Sequence, residues 1–490
     1  FFLNNPVMSM EKYCSRRLFS IVALLLLATV QMAAKVVDVA EASKLAAAFL
    51  SPKQKTNSQP VRMRQVKPTA GGRLAAPAVG DPAFYVFTPE EGKGFVIVSA
   101  DDAATPVLGY SDTQAIDMDN LPPALETLMS QWTEQINHAR SQGLEPTAET
   151  KAKWAQASPS ETKVLLETAQ WNQDSPYNND CPMLDGGRCL TGCVATHYAI
   201  LFRYYKYTRP ASAVTVPYTS PHGAYVPSLH IDGQYDWDNM PLTYPYGGYG
   251  DDRDNAVAKL MADIGTLCKA NYGKSATDAY HSQPHMLDVF GYKYEDMISR
   301  NKFTAEEWDA KLMNCLALGH PISYSADGRS IGHAFILDGY NEDGLYHVNW
   351  GWGGYENGFF SLNALNAGGY NFDLDQYAIL GICPRDSSDH STRDAVAKVG
   401  DINFSDLQCA FYYADYTGDG LQILRDMYAD NAELSTLEAE NVNVNLNGYT
   451  VSLGKIDVSD SLTGSDTKGG VIKLHGNYGG IIGQGKCTLK

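Results

Sequence analysis

The stretch TGCVATHYAILFRYYKY, residues 191–207, sets Cys193 directly after a glycine and at the start of an apolar run of helical period. A cysteine at a helix N-terminus faces unpaired backbone N–H groups and the positive end of the helix dipole. Both favour thiolate over thiol. Cys193 is therefore a candidate nucleophile. A buried cysteine without chemistry is the commoner reading of one residue, so the assignment depends on finding a base, an orienting group and an oxyanion donor elsewhere in the chain.

A cysteine nucleophile needs a histidine to hold its proton and a third group to fix the ring. His333 follows Gly332 and opens the apolar run HAFILDGY, which predicts a strand carrying the imidazole at its start. Asn349 ends the next run, YHVN, and Trp350 follows it. Two adjacent antiparallel strands joined by the turn NEDG would set His333 and Asn349 side by side. The amide oxygen would then accept the imidazole N–H, with Trp350 shielding that bond. The competing reading is a strand-end histidine and a turn asparagine. Order and spacing decide between them, because His333 lies 140 residues after Cys193, within the about 130–150 of a Cys…His…Asn peptidase of papain type. Gln173, ahead of the cysteine, supplies an amide donor for the oxyanion beside the Cys193 N–H. The usual papain hexapeptide around the cysteine is absent.

Composition narrows the class. The chain has 490 residues, 44% of them apolar, enough for roughly three domains. A formal charge of −18 argues against nucleic-acid or anionic-membrane binding. Arg16 and Arg17 precede the apolar core IVALLLLATV, residues 21–30, which ends in Ala33 and Ala34. This predicts a secretory signal peptide over 1–34, too short for a membrane span, with the natural start at Met10. No later segment is apolar enough to span, so the mature protein is expected outside the cell.

Residues 36–50 predict a helix, and 51–80 a basic loop or arm. AFYVFT and GFVIVS, joined by PEEGK, predict a hairpin. A helix is predicted from Pro122, and 141–162 reads as an exposed polar linker suited to proteolysis. Beyond the cysteine, helices are predicted over about 252–270 and from a capping box at Thr304 and Glu307. PISYSA, HAFILDGY, LYHVNW, GFFSLN and YAILGI then predict an antiparallel sheet. A helical half followed by such a sheet forms two subdomains with a cleft between them.

WNQDSPYN, TGCVATHYAILFRYYKY, GHAFILDGY and YHVNWGWGGYENGFFSLNALN resemble the streptopain family of secreted bacterial cysteine proteases, from about Leu166 to Ile382. The unit containing FYVFTPEEGKGFVIVSADDAATPVLGYS is similar to that family's inhibitory propeptide. The resemblance implies an α+β, papain-like two-subdomain peptidase preceded by a small α+β inhibitory propeptide. It implies boundaries at 1–34 (signal), 35–157 (propeptide and linker), 158–385 (peptidase) and 386–490 (C-terminal region). Cys193 would be nucleophile, His333 base and then acid, Asn349 orienter, Gln173 oxyanion donor and Trp350 a supporting wall. It further implies a self-processing zymogen whose own propeptide is its inhibitor, acting on protein or peptide substrates with a preference for an apolar side chain next to the cleaved residue. The Gly-rich segment AGGYNFDLDQ, 367–376, corresponds to a loop bordering the substrate cleft. No cofactor is expected. Two other classes compete: an inactive surface-binding protein on a peptidase scaffold, and a Cys-His cell-wall amidase.

Several features fall outside this frame. Where the family has a small residue, this chain has His197, one turn inside the helix and pointing away from its N-terminus. Cys181, Cys189, Cys193 and His197 permit a zinc reading, which lacks a paired CxxC knuckle. Cys189 would pin the approach loop if paired with Cys181. Asp415, Asp419, Gly420 and Asp426 match positions of a calcium loop, with Thr417 in place of an Asp or Asn; an acidic turn is the simpler reading. NVNVNLNGYTVSLGKIDVSD resembles a coil of a β-solenoid.

Overall fold

The computed structural model describes residues 35–51, 61–69, 81–156, 161–209, 213–279, 285–295, 297–327, 332–365, 376–385, 395–404, 407–428, 436–464, 466–474 and 480–489. The expected leader, 1–34, lies outside them, as does the cleft-bordering segment apart from Gln376.

Helix α1 (Val39–Leu50) starts where the Asp38 carboxylate accepts the N–H groups of Ala40 and Glu41, satisfying two orphan donors of the first turn. Its buried Ala42, Ala46, Phe49 and Leu50 pack on the hairpin β2 (Phe84–Pro89) and β3 (Phe95–Ser99). The basic arm contributes a strand not foreseen, β1 (Met63–Val66), paired antiparallel with β2. Strand β4 (Val107–Ser111) follows β3. Helix α2 (Pro123–Gln142) begins on proline and ends at Gly143, which takes the left-handed conformation.

The polar linker is partly helical. Thr147 caps α3 (Ala148–Ala155) by accepting the Thr150 N–H, and Trp154 donates its indole N–H to the Ala104 carbonyl at 2.9 Å. Local polarity suggested an exposed loop, but a cap and one aromatic anchor suffice to hold a short helix down. Residues 157–160 lie outside those described.

Strand β5 (Thr162–Leu165) leads to α4 (Cys193–Tyr205), α5 (Asp252–Leu267), β6 (Met297–Ser299) and α6 (Ala305–Ala317), whose capping box at Thr304 and Glu307 forms as expected. Strands β7 (Ile322–Asp327), β8 (Gly332–Asn341), β9 (Tyr346–Asn349), β10 (Gly358–Phe360) and β11 (Gln376–Ile379) follow. The sheet is antiparallel in the order β1-β2-β3-β4-β10-β9-β8-β7-β11-β6, with β5 also pairing β8. The N-terminal unit is thus continuous with the later strands. Phe359 faces Tyr110 across β10–β4, and Phe360 faces Gly109, where a Cβ would lie 2.5 Å from the Phe360 ring.

Alternation along β8 divides two cores. Ala334 and Ile336 face α4 and α5; Phe335 and Leu337 face α2 and α6. Trp132 of α2 is fully buried in the second core and donates its indole N–H to the Ser361 carbonyl at 3.0 Å.

Beyond residue 395, Leu421–Ile423, Thr436–Asn445, Lys455–Gly464 and Gly480–Ile482 pair in parallel, as do Met427–Tyr428, Thr450–Leu453 and Val471–Leu474. Two parallel stacks with buried Val442, Val444, Ile456 and Val458 between them form a solenoid-like stack. Helix α7 (Leu407–Thr417) packs against Thr436–Asn445.

Candidate active site

Gly192 places Cys193. It has φ +83°, and a Cβ there would lie 2.6 Å from the Thr277 carbonyl oxygen, so only glycine lets the 273–277 segment pass so close to the helix start. Helix α4 begins at Cys193 itself. The half-buried Cys193 sulfur has the backbone N–H groups of Ala334, Cys193 and Val194 around it, and these pull its thiol down. Burial nevertheless raises the thiol above its ordinary value, against the pull of those three donors. The helix start does favour the thiolate, as its position predicts, but burial is the larger effect.

The Ala334 N–H matters most, since it belongs to the residue after His333 and lies beside Cys193. His333 opens β8, half-buried, opposite Ala326 of β7. Gln173 is brought to the same loop, its carbonyl accepting the Thr191 N–H at 3.1 Å.

The register does not pair Asn349 directly with His333. Asn349 sits opposite Ile336, three residues along β8 from His333. A bulge between Leu337 and Gly339 shifts the pairing, which a period-2 pattern cannot show. The buried Asn349 amide donates to Thr168 Oγ1 and to the Ala169 carbonyl, each at 2.9 Å, and accepts the Gly351 N–H at 3.2 Å. Trp350 is a wall within the core: its ring lies 5.1 Å from both Phe335 and Phe360, and its indole N–H donates to the Glu356 carbonyl at 2.9 Å.

His197 is buried one turn along the helix from Cys193, with Nδ1 at 3.1 Å from the Cys193 carbonyl and Nε2 at 2.9 Å from Ser323 Oγ. Both ring nitrogens are thereby engaged. Cys181 and Cys189 are free and buried, and burial pushes the Cys181 thiol up to about 12. The calcium pattern does not form one loop. Asp415 lies on α7, where it accepts the Asn441 N–H at 3.1 Å, whereas Asp426 accepts the Thr450 N–H at 2.7 Å. Asp419 lies in the turn between them, its N–H on Thr417 Oγ1. Among the described residues, no group of three or more His, Cys, Asp or Glu is arranged to hold a metal.

Sequence reasoning passed over Asp338, Thr168 and Glu356. Asp338 carried a signal, an acidic residue inside the apolar run HAFILDGY; it is buried between His347 and Thr168. Glu356 sits at the contact with the N-terminal unit, accepting the Asp117 N–H at 3.3 Å, and its burial raises the carboxyl to about 7.

A helical half and an antiparallel sheet half meeting at a helix-borne cysteine, with an α+β unit joined to the sheet, define a papain-like cysteine peptidase carrying an inhibitor-type propeptide. A family model described as Peptidase C10 family matches residues 171–360, and one described as Spi protease inhibitor matches 34–136. Streptopain of Streptococcus pyogenes is 32% identical over 330 residues, covering 61% of this chain and 80% of that protein. The thiol protease/hemagglutinin PrtT of Porphyromonas gingivalis is 30% identical over 395 residues, covering 75% of this chain and 44% of that one. Among solved structures, a fragment of Prevotella intermedia prointerpain A superposes with a TM-score of 0.52 at 29% identity, covering 65% of this chain and 98% of that fragment. The chain belongs to the Peptidase C10 family and is a cysteine-type peptidase. No described helix is long and apolar enough to cross a membrane.

Proposed function

We propose that the chain is a secreted, self-processing zymogen of a cysteine endopeptidase that works through Cys193, His333, Asn349 and Gln173. His333 takes the Cys193 proton as the sulfur attacks a peptide carbonyl. The oxyanion is held by the Cys193 N–H and the Gln173 side-chain amide, and His333 returns the proton to the leaving amine. Water, deprotonated by His333, then hydrolyses the thioester and frees Cys193. Asn349 steadies the imidazolium through its amide oxygen, which keeps a second lone pair beyond the one taken by Gly351. Trp350 holds the wall behind it.

The observation that supports this reading is that the Ala334 N–H, one residue on from His333, lies close enough to the Cys193 sulfur to pull its thiol down, which brings the histidine strand to the cysteine. The N-terminal unit would inhibit in the intact chain and be released by cleavage in the segment between α3 and β5; proteins and peptides are the substrates. The unit boundaries at 34, 157 and 385 follow from the same reading.

The test is to express residues 35–490 as wild type and as Cys193→Ala under reducing conditions. Wild type should shorten with time and cleave casein; Cys193→Ala should do neither. A wild-type chain that neither shortens nor cleaves overturns the proposal. Labelling by an epoxide thiol-protease inhibitor that persists in Cys193→Ala would move the nucleophile elsewhere.

A further inference from the structure

Asp338 is the residue that the β8–β9 register skips: Leu337 pairs with Val348 and Gly339 with His347, leaving Asp338 as the bulge. A bulged residue is freed from pairing and its side chain is re-aimed. Here the side chain is 2% exposed and its two oxygens take separate donors. Oδ1 lies 2.5 Å from His347 Nδ1, and Oδ2 lies 2.5 Å from Thr168 Oγ1. A carboxylate only accepts, so the Thr168 hydroxyl must point its hydrogen at Asp338. That leaves a Thr168 lone pair facing Asn349, whose Nδ2 donates to it at 2.9 Å. The Ala169 carbonyl takes the other amide hydrogen, and the Gly351 N–H occupies one lone pair of Oδ1. Each donor direction follows from the one before it, and together they leave one orientation of the Asn349 amide.

The backbone is built to allow this. Gly339 admits β5 alongside, since a Cβ there would lie 2.4 Å from the Val164 carbonyl oxygen. The Asp338 carbonyl accepts the Leu166 N–H at 2.7 Å, which carries the chain on to Thr168. The bulge therefore both frees the carboxylate and delivers the hydroxyl it holds.

We propose that Asp338, with His347 and Thr168, is a positioning relay that locks the Asn349 amide with its oxygen toward the catalytic imidazole. This rests on the reading of Asn349 as the orienting residue. The relay touches no substrate; it acts by fixing one dipole, and a misplaced orienting dipole weakens the imidazolium it should stabilise.

The test uses the full chain, processed in trans by immobilised wild-type enzyme, as Thr168→Val, Thr168→Ser, Asp338→Asn and Asn349→Ala. Thr168→Val and Asp338→Asn should lower kcat/KM about 10- to 100-fold, mainly through kcat. They should also move the acidic limb of the pH–rate profile to lower pH, because the imidazolium loses stabilisation. Thr168→Ser should stay near wild type on both measures. A purely structural role would not move the limb. If Thr168→Val fails to fold, the isosteric Asp338→Asn carries the same test. Unchanged kcat/KM and profile in Thr168→Val and Asp338→Asn, with Asn349→Ala impaired, would overturn the relay and leave the orienting role standing. Wild-type kcat/KM in Asn349→Ala would remove the orienting role itself and the relay with it.

Discussion

The imidazole of His197 holds the main-chain carbonyl of Cys193, its Nδ1 at 3.1 Å from that oxygen. A carbonyl only accepts, so Nδ1 carries the hydrogen, and in the neutral ring Nε2 takes the Ser323 hydroxyl at 2.9 Å. Ser323 is also bonded to the Tyr198 side chain and pairs through β7 with Ile336 of β8. The helix that starts at Cys193 is thereby tied to the sheet that carries His333. His197→Ala should leave Ser323 and the Cys193 carbonyl short of a partner and cost about 1–3 kcal/mol of stability. Thermal unfolding in a Cys193→Ala background, which separates stability from self-cleavage, measures this.

Gly192→Ala should abolish processing and active-site labelling. A methyl at that position meets the Thr277 carbonyl at 2.6 Å on a backbone held at φ +83°. Relief requires moving either the 273–277 segment or the first turn of α4. Retention of normal labelling by Gly192→Ala would show that the helix start tolerates the shift.

The Glu356 carboxyl is raised by burial from its ordinary 4.5 to about 7, with the Asp117 charge adding to the rise. The folded chain binds this proton more tightly than the unfolded one. The associated stability is therefore present below about 4.5, falls as pH rises toward 7, and is gone above it, a change of up to about 3 kcal/mol. In the Cys193→Ala chain, Glu356→Gln should flatten that part of the melting temperature's pH dependence. An unchanged slope between pH 5 and 7 would assign it to another group.

Trp132 lies in a core shared by the N-terminal unit and the sheet half, with its indole N–H on the Ser361 carbonyl. Trp132→Ala should cost about 3–5 kcal/mol. It should also loosen the unit's hold, so the otherwise wild-type chain processes itself faster. Slower processing at equal expression would mean that Trp132 supports the peptidase fold more than the restraint.

The parts of this protein legible in the sequence were those fixed by near neighbours. The apolar period of 193–205 gave the helix, the glycine ahead of Cys193 marked its start, and alternating runs marked β7 to β11. Cys193, His333, Asn349 and Gln173 stood out because few residue types in that order serve a thiol nucleophile. Tertiary structure decided which strand lies beside which, and at what register. Pairing of β4 with β10 made the N-terminal unit part of the sheet that carries His333, a contact between residues about 250 positions apart that no local pattern encodes. The bulge at Asp338 set Asn349 opposite Ile336 and buried a carboxylate between His347 and Thr168. Hydrophobic alternation specifies which face a strand buries, but the position of one extra residue depends on what packs against it. The surroundings of Cys193 were decided this way too: the helix start was readable, whereas the burial that raises the thiol arises only when the chain has closed around it.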